Sequence, residues 1–308
     1  MSFWRSPHGR GILLILLSTV CFSLMDTVIK HAMTLAPAFM LLWFRYTFQA
    51  VVTVGLQWPR QGKALLATAN PRFQLLRGGL MLVTTTCAFF SLKYLPVGEF
   101  TAMVMLSPLA ATALAAWLLK TVVPTFSWWM LALGLVGVLL VVHPGSQIFT
   151  WALIFPAILV IANAGFQVLT SRLSGEENPY TTQFYSGLVG SLGMAPAVLV
   201  VWDSSILLAH WPWFVLIGGT GAFGHLMLIR AYMSAPAPVL MPYVYSQIAF
   251  SMLGGWLAFD HVPDLLAWIG MAVIALSGIG NALVSMRQHR GLDSQAPAVD
   301  VPQRRRPG

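Results

Sequence analysis

Residues 11–30 read GILLILLSTVCFSLMDTVIK. Twenty residues of helix rise about 30 Å, the thickness of the hydrocarbon core of a bilayer. The run follows Arg5 and Arg10, so it has the outline of a secretory signal. It lacks a convincing small-residue cleavage site and many comparable runs follow it, so it reads as a retained first helix. Nine more apolar stretches are predicted at 38–56, 76–94, 98–119, 127–142, 150–170, 181–201, 212–231, 239–259 and 265–285. Backbone polar groups in lipid must be satisfied within the segment, which makes these helices and not strands. The sequence therefore predicts an all-α polytopic membrane protein with ten transmembrane helices.

Composition agrees. The chain is 57% hydrophobic and 8% charged, against about a quarter charged in ordinary soluble domains. Too little charge remains to cover a water-soluble surface of this size, whereas a lipid-facing surface needs none. Ten spans occupy roughly 200 positions, leaving short loops and two tails with no room for a soluble domain.

The formal charge of +8 is explained by topology. With the N-terminus inside, all but three of the 17 basic residues fall on cytoplasmic segments or helix ends, the exceptions being Lys30, Lys93 and Arg45. That bias places both termini in the cytoplasm of a bacterial inner membrane. It also removes nucleic acid as a partner, because the charge is dispersed among loops. Residues 286–308 read as a disordered basic tail containing Arg304-Arg305-Arg306. Cys21 and Cys87 have no metal or disulfide spacing.

A faint period divides the chain. Tyr94 corresponds to Tyr232, Pro124 to Pro263 and Trp128 to Trp268, at offsets drifting from 138 to 140. The halves are 11–142 with helices 1–5 and 150–285 with helices 6–10. Five is odd, so the second half is inverted relative to the first, a recurring plan of secondary transporters.

The run from Met25-Asp26-Thr27 to Lys30, Phe44-Arg45, Leu76-Arg77-Gly78 and Lys93-Tyr94-Leu95-Pro96-Val97-Gly98-Glu99 resemble the drug/metabolite transporter superfamily, EamA branch. So do Gly224-His225, Pro242-Tyr243-Val244-Tyr245 and Gly254-Gly255-Trp256 in the second half. The resemblance extends over 11–284. It implies two inverted repeats of five helices around a central cavity, and the carriage of a small organic metabolite by alternating access. Two departures stand out. Family members often have an acid after the fourth helix, where this chain has Leu119-Lys120-Thr121, and often Glu where Val244 stands.

The candidate site follows from polar residues inside spans, each costing at least about 2.5 kcal/mol at a helix centre unless it faces a cavity or a partner. Asp26 and Lys30 share a face, and Arg45 lies on the next helix. Asp26 sits roughly 6 Å and Arg45 roughly 10 Å below the outer ends of their helices. They form either an outward gate that recognises anions, opened when a solute carboxylate replaces Asp26, or a fixed packing pair. Glu99 has Lys30, Lys93 or Arg45 as possible partners, and also suits a helix N-terminus. His225 is a buried neutral side chain or a proton relay. Asn163, Gln167, Tyr185, Tyr243, Tyr245 and Gln247 suit a partly planar organic solute or interhelical hydrogen bonds. No nucleotide loop, metal motif or nucleophile elbow is present. The expectation is a secondary transporter needing no cofactor or metal, working on a small solute in the lipid bilayer with a solute or proton gradient as its drive. It is not expected to be an enzyme. The alternatives are a membrane sensor or assembly factor, or an intramembrane enzyme with an unrecognised site.

Overall fold

A computed structural model describes residues 7–119, 125–143, 150–173, 177–235 and 237–295. Its elements, in order, are α1 (Pro7–Ala32), α2 (Ala38–Gln61), α3 (Pro71–Tyr94), α4 (Val97–Val104), α5 (Ser107–Leu119), α6 (Thr125–Val141), α7 (Ile154–Leu173), α8 (Pro179–Val201), α9 (Ser204–Ser234), α10 (Ala237–Val244), α11 (Ser246–Phe259) and α12 (Leu265–Gln295), with short 3-10 turns at Gly62–Leu66 and Trp151–Leu153. No strand occurs among the described residues. Eight helical stretches are long and apolar enough to cross a membrane, and Thr125–Val141 is a shorter apolar helix.

Helix ends follow local chemistry. Asn178 accepts a hydrogen bond from the Tyr180 amide at 3.0 Å, with Pro179 opening α8. Asp203 accepts from the Ser205 amide and hydroxyl at 2.8 and 2.6 Å. Those bonds hold its exposed carboxyl below the usual carboxylate range. Asp264 likewise accepts from the Ala267 amide in the first turn of α12.

Two of the predicted helices are broken. The segment read as 98–119 splits after Val104 and resumes at Ser107, directly before Pro108, which has no amide proton to give. The segment read as 239–259 splits at Tyr245, just beyond Pro242. A hydropathy pattern cannot see such breaks, because both sides remain apolar. At the C-terminus α12 continues to Gln295, so the stretch read as a tail from 286 begins as helix. Residues 296–308, Lys120 and Pro124 lie outside the described residues.

The polarity of the fold runs opposite to that of a soluble protein. Val200, Leu199, Leu265, Ile161 and Leu257 are 70–85% exposed, whereas Arg45, Gln49 and Gln74 are 1–2% exposed. Apolar side chains out and polar ones in is what hydrocarbon solvent selects. Helix pairings place α1 against α9 and α11, α2 against α8 and α9, and α3 against α7 and α8. The pair α6 and α12 meets at Gly137 and Gly270. A side chain at either would strike backbone of the other helix: Gly270 O lies 2.9 Å from a Gly137 Cβ, and Val141 N the same distance from a Gly270 Cβ.

Candidate functional site

The polar residues of α2 recur every fourth position. Arg45, Gln49, Thr53 and Gln57 therefore form one stripe, and all four are buried. A matching stripe on α1 contains Ser23, Asp26, Thr27 and Lys30, the first three buried. The two stripes face α8, α9 and α11. Gln49 Nε2 donates to Gln183 O at 3.2 Å, and Thr47 and Ser191 share a hydroxyl contact of 2.7 Å. Between α1 and α11, Ser251 Oγ donates to Ser23 Oγ at 2.9 Å and Ser23 Oγ to Gln247 O at 3.2 Å, while Thr19 and Ser246 meet at 3.1 Å beside the break at Tyr245.

Arg45 lies at the centre. Its Nη2 is 3.3 Å from His225 Nε2. Arginine has only donors, so the His225 Nε2 must be the unprotonated nitrogen, and the ring's other face meets Phe22 edge-on. Arg45 Nε and Nη1 are buried without any hydrogen-bond partner. The expected Asp26–Arg45 pair is not closed: no ion pair joins them among the described residues, although Arg45 is near enough for its charge to act on Asp26. Asp26 is itself 6% exposed.

Arg77 is the counter-example. Counted from sequence as a cytoplasmic helix end, it is 6% exposed and joins three helices. Its Nε donates to Thr170 Oγ1 at 2.7 Å, and its Nη1 to Ser186 Oγ at 2.6 Å and Thr182 O at 3.3 Å, with the guanidinium 4.3 Å from the Phe166 ring centre. Gln74, one turn away, donates to Thr182 Oγ1 at 3.1 Å. Neither Arg77 nor the amides of Gln49, Gln74 and Gln183 were picked out from sequence. The signal was the four-residue polar spacing, legible on α2 from Arg45 to Gln57 and on α8 from Thr182 to Ser186.

A second cluster lies where α4 begins. Glu99, in the first turn of α4, pairs at 2.7 Å with His261 from the α11–α12 turn, a partner that sequence did not propose. Its second oxygen is buried and unpartnered. Lys30 does not touch it. That ammonium donates to Leu92 O and Leu95 O at 2.8 Å each, at the C-terminal end of α3, where a cation is favoured. Since Glu99 is 3% exposed, His261→Ala leaves a buried carboxylate without its partner, whereas His261→Ala with Glu99→Gln does not. Unfolding in a detergent–SDS titration should show the pair coupled by about 1–3 kcal/mol; additive single effects would mean that the contact contributes nothing.

The remaining predicted residues scatter. Tyr245 is buried, with its ring seated on the Gly278 backbone, and Gln247 is buried on α11. Asn163 and Gln167 are half-buried on α7. Tyr243 is 38% exposed, and Tyr185 turns its hydroxyl to Leu66 O at the edge of the fold. Both cysteines are free, and no group of three or more metal-ligating side chains occurs among the described residues.

Comparison with known proteins is consistent with this geometry. Residues 9–143 match the EamA-like transporter family. Along nearly its full length the chain is also similar to three curated transporters. It is 25% identical to the pseudopaline exporter CntI of Pseudomonas aeruginosa, over 87% of this chain and 94% of that protein. It is 25% identical to the S-adenosylmethionine uptake transporter of Rickettsia prowazekii, over 86% and 90%. It is 26% identical to the riboflavin transporter of Rhizobium johnstonii, over 91% and 93%. The first half of the chain is thus similar to the EamA-like transporter family, and nearly the whole chain is similar to named metabolite transporters. A solved crystal structure shares the fold of this chain with a TM-score of 0.63, covering 92% of this chain and 99% of the other at 18% identity. The partial family match, the named relatives and the eight long apolar helices together describe a multi-pass membrane transporter and not an enzyme, with Arg45 among its buried polar residues.

Proposed function

We propose that the chain is a secondary transporter that moves a small organic metabolite across the inner membrane by alternating access of two inverted five-helix repeats. The observation that carries this reading is the matched pair of helix breaks. The short helix α4 starts at Val97 and α10 at Ala237, an offset of 140, and each is eight residues long before its break. Interrupted helices at corresponding positions of two halves mark the substrate region of inverted-repeat carriers. Pairing supports the same plan. If α1, α2, α3, α4–α5 and α6 correspond to α7, α8, α9, α10–α11 and α12, then the contact of α1 with α9 maps onto that of α7 with α3. The contact of α3 with α8 maps onto α9 with α2, and that of α1 with α11 onto α7 with α5. In this reading the chain has ten spans with both termini cytoplasmic. Solute or proton gradients drive it, and no nucleotide, metal or other cofactor takes part.

Relatives that carry pseudopaline, S-adenosylmethionine and riboflavin support a metabolite as the cargo. The test uses a cysteine-free background and purified protein in proteoliposomes. Single cysteines placed within 171–180 should react with an impermeant maleimide only from the cytoplasmic side, and those within 202–210 only from outside. Accessibility of a cysteine beside the Glu99–His261 contact should change when a carried solute is added. Same-side labelling of both loops would end the inverted topology, and solute-independent labelling would end alternating access.

A further inference from the structure

We propose that the turn joining α11 to α12 is a pH-sensitive latch, closed at acidic pH by two histidine–carboxylate contacts and released when the histidines lose their protons. The first contact joins His261 of the turn to Glu99 at the start of α4, with Nε2 2.7 Å from Oε1. The second joins His143, just beyond α6, to Asp264 of the same turn, with Nε2 3.6 Å from Oδ2. One short turn, residues 260–264, is thus held from two directions, each time by an imidazole against a carboxylate. The inference goes beyond the transport reading. It takes from that reading only the face on which the latch sits, the outer one in the proposed topology.

Hydrogen-bond roles decide which protons matter. His143 Nδ1 lies 3.0 Å from Leu140 O, and a carbonyl only accepts, so Nδ1 carries a proton. In a neutral ring Nε2 then turns its lone pair toward the Asp264 carboxylate, and the contact is attractive only when the ring is doubly protonated. Asp264 is fixed in place, because its Oδ1 accepts from the Ala267 amide at 2.8 Å. At the other contact Glu99 is 3% exposed and its Oε2 is buried without a partner. A neutral ring compensates such a carboxylate poorly, whereas an imidazolium supplies the opposite charge. Histidine ordinarily changes charge between about pH 5 and pH 8. The sign is the same at both contacts: protonated rings hold the turn, and neutral rings loosen it from α4 and from the end of α6. Both rings are partly exposed, so their protons pass to water.

The other charges near the turn do not replace the histidines. Lys30 of α1 acts on Glu99 through its charge, but its protons go to Leu92 O and Leu95 O at the end of α3. Lys93 of α3 lies over the Tyr94 ring, and Asp260 is an exposed residue of the turn itself. The opposite end of α3 is tied differently. There Glu177, just before α8, accepts from the Thr68 hydroxyl at 2.7 Å and the Asn70 amide at 3.0 Å. A hydroxyl and an amide do not titrate in this range, so that tie persists while the latch opens.

The test uses the full chain without Cys21 and Cys87, spin-labelled at introduced cysteines and reconstituted in proteoliposomes with equal pH on both sides. One label pair, Lys93→Cys with Val262→Cys, spans the latch, and a second, Ala67→Cys with Arg230→Cys, spans the opposite end; all four positions are exposed. Distances are read by double electron–electron resonance. Between about pH 5.5 and about pH 8 the longer-distance population of the first pair should grow about three-fold or more, while the second pair stays unchanged. His143→Gln with His261→Gln should show the long population at both pH values. His261→Lys, which keeps its charge to about pH 8, should hold the short distance there. If the double variant does not fold, the wild-type titration and His261→Lys decide. A first-pair distance independent of pH, a pH response that persists without the two histidines, or an equal response of both pairs would overturn the latch. None of these results touches the transport reading, because no solute or gradient is present; the labelling experiment above decides that reading separately.

Discussion

Replacing Arg77 with alanine should lower the melting temperature of the detergent-purified protein far more than replacing Arg45 with glutamine, although both residues are buried arginines. Arg77 holds α3 to α7 and α8 through Thr170, Thr182 and Ser186. Hydrogen bonds to a charged group are worth about 1.5–3 kcal/mol each, and truncation also leaves a cavity against Phe166. The desolvation recovered by removing the charge offsets part of this. A net loss of about 3 kcal/mol or more is expected, read as a fall in thermal stability by fluorescence-detected gel filtration. Arg45 has one hydrogen-bond contact, with the His225 imidazole, lies 5.1 Å from the Tyr46 ring centre and leaves two donors unmet, so its replacement loses fewer contacts than that of Arg77 and should lower stability less. Equal destabilisation by the two substitutions would mean that Arg45 is as structural as Arg77.

The second large effect is expected at the seam of α6 and α12. A leucine at Gly270 has nowhere to go, because its Cβ alone would meet Gly137 O at 2.5 Å and Val141 N at 2.9 Å. Overpacking against a side chain usually costs about 1–3 kcal/mol because the neighbour can change rotamer; here the neighbour is backbone, and the helices must part along their length. Gly270→Leu should give no monodisperse protein, with Gly270→Ala intermediate. A monodisperse Gly270→Leu protein with wild-type melting would show that the seam is not close-packed. The same holds in mirror image for Gly137, whose Cβ would meet Gly270 O.

Sequence carried the helices more readily than the site. Apolar runs such as 11–30 and 265–285 announce themselves because lipid demands them. The breaks at Met105 and Tyr245 do not, since Pro108 and Pro242 sit inside runs that stay apolar on both sides. Arg45 and Asp26 could be singled out because charge in a span is costly. Their arrangement could not, because whether Arg45 faces Asp26 or His225 depends on how α1, α2 and α9 rotate against one another. Topology alone accounts for Arg77 as a basic residue near a helix end and hides its burial, whereas its neighbours Gln74 and Gly78 share its buried side of the helix. Glu99 and His261 are 162 positions apart, beyond any spacing rule. Tyr243 and Tyr245 show the limit of residue type, since neighbours of one kind end on opposite sides of the wall, the first half-exposed and the second buried.

The hydroxyl contacts between α1 and α11 contrast with the glycine seam of α6 and α12. Serine and threonine hydroxyls both give and accept. In the proposed alternating-access cycle, Thr19 and Ser23 would therefore trade Ser246, Ser251 and the Gln247 carbonyl for the next oxygen along if α11 slides, without stranding a donor in between. Gly137 and Gly270 have backbone on both sides and a single comfortable separation. In mechanical language, that proposed cycle would use the first contact as a bearing and the second as an axle.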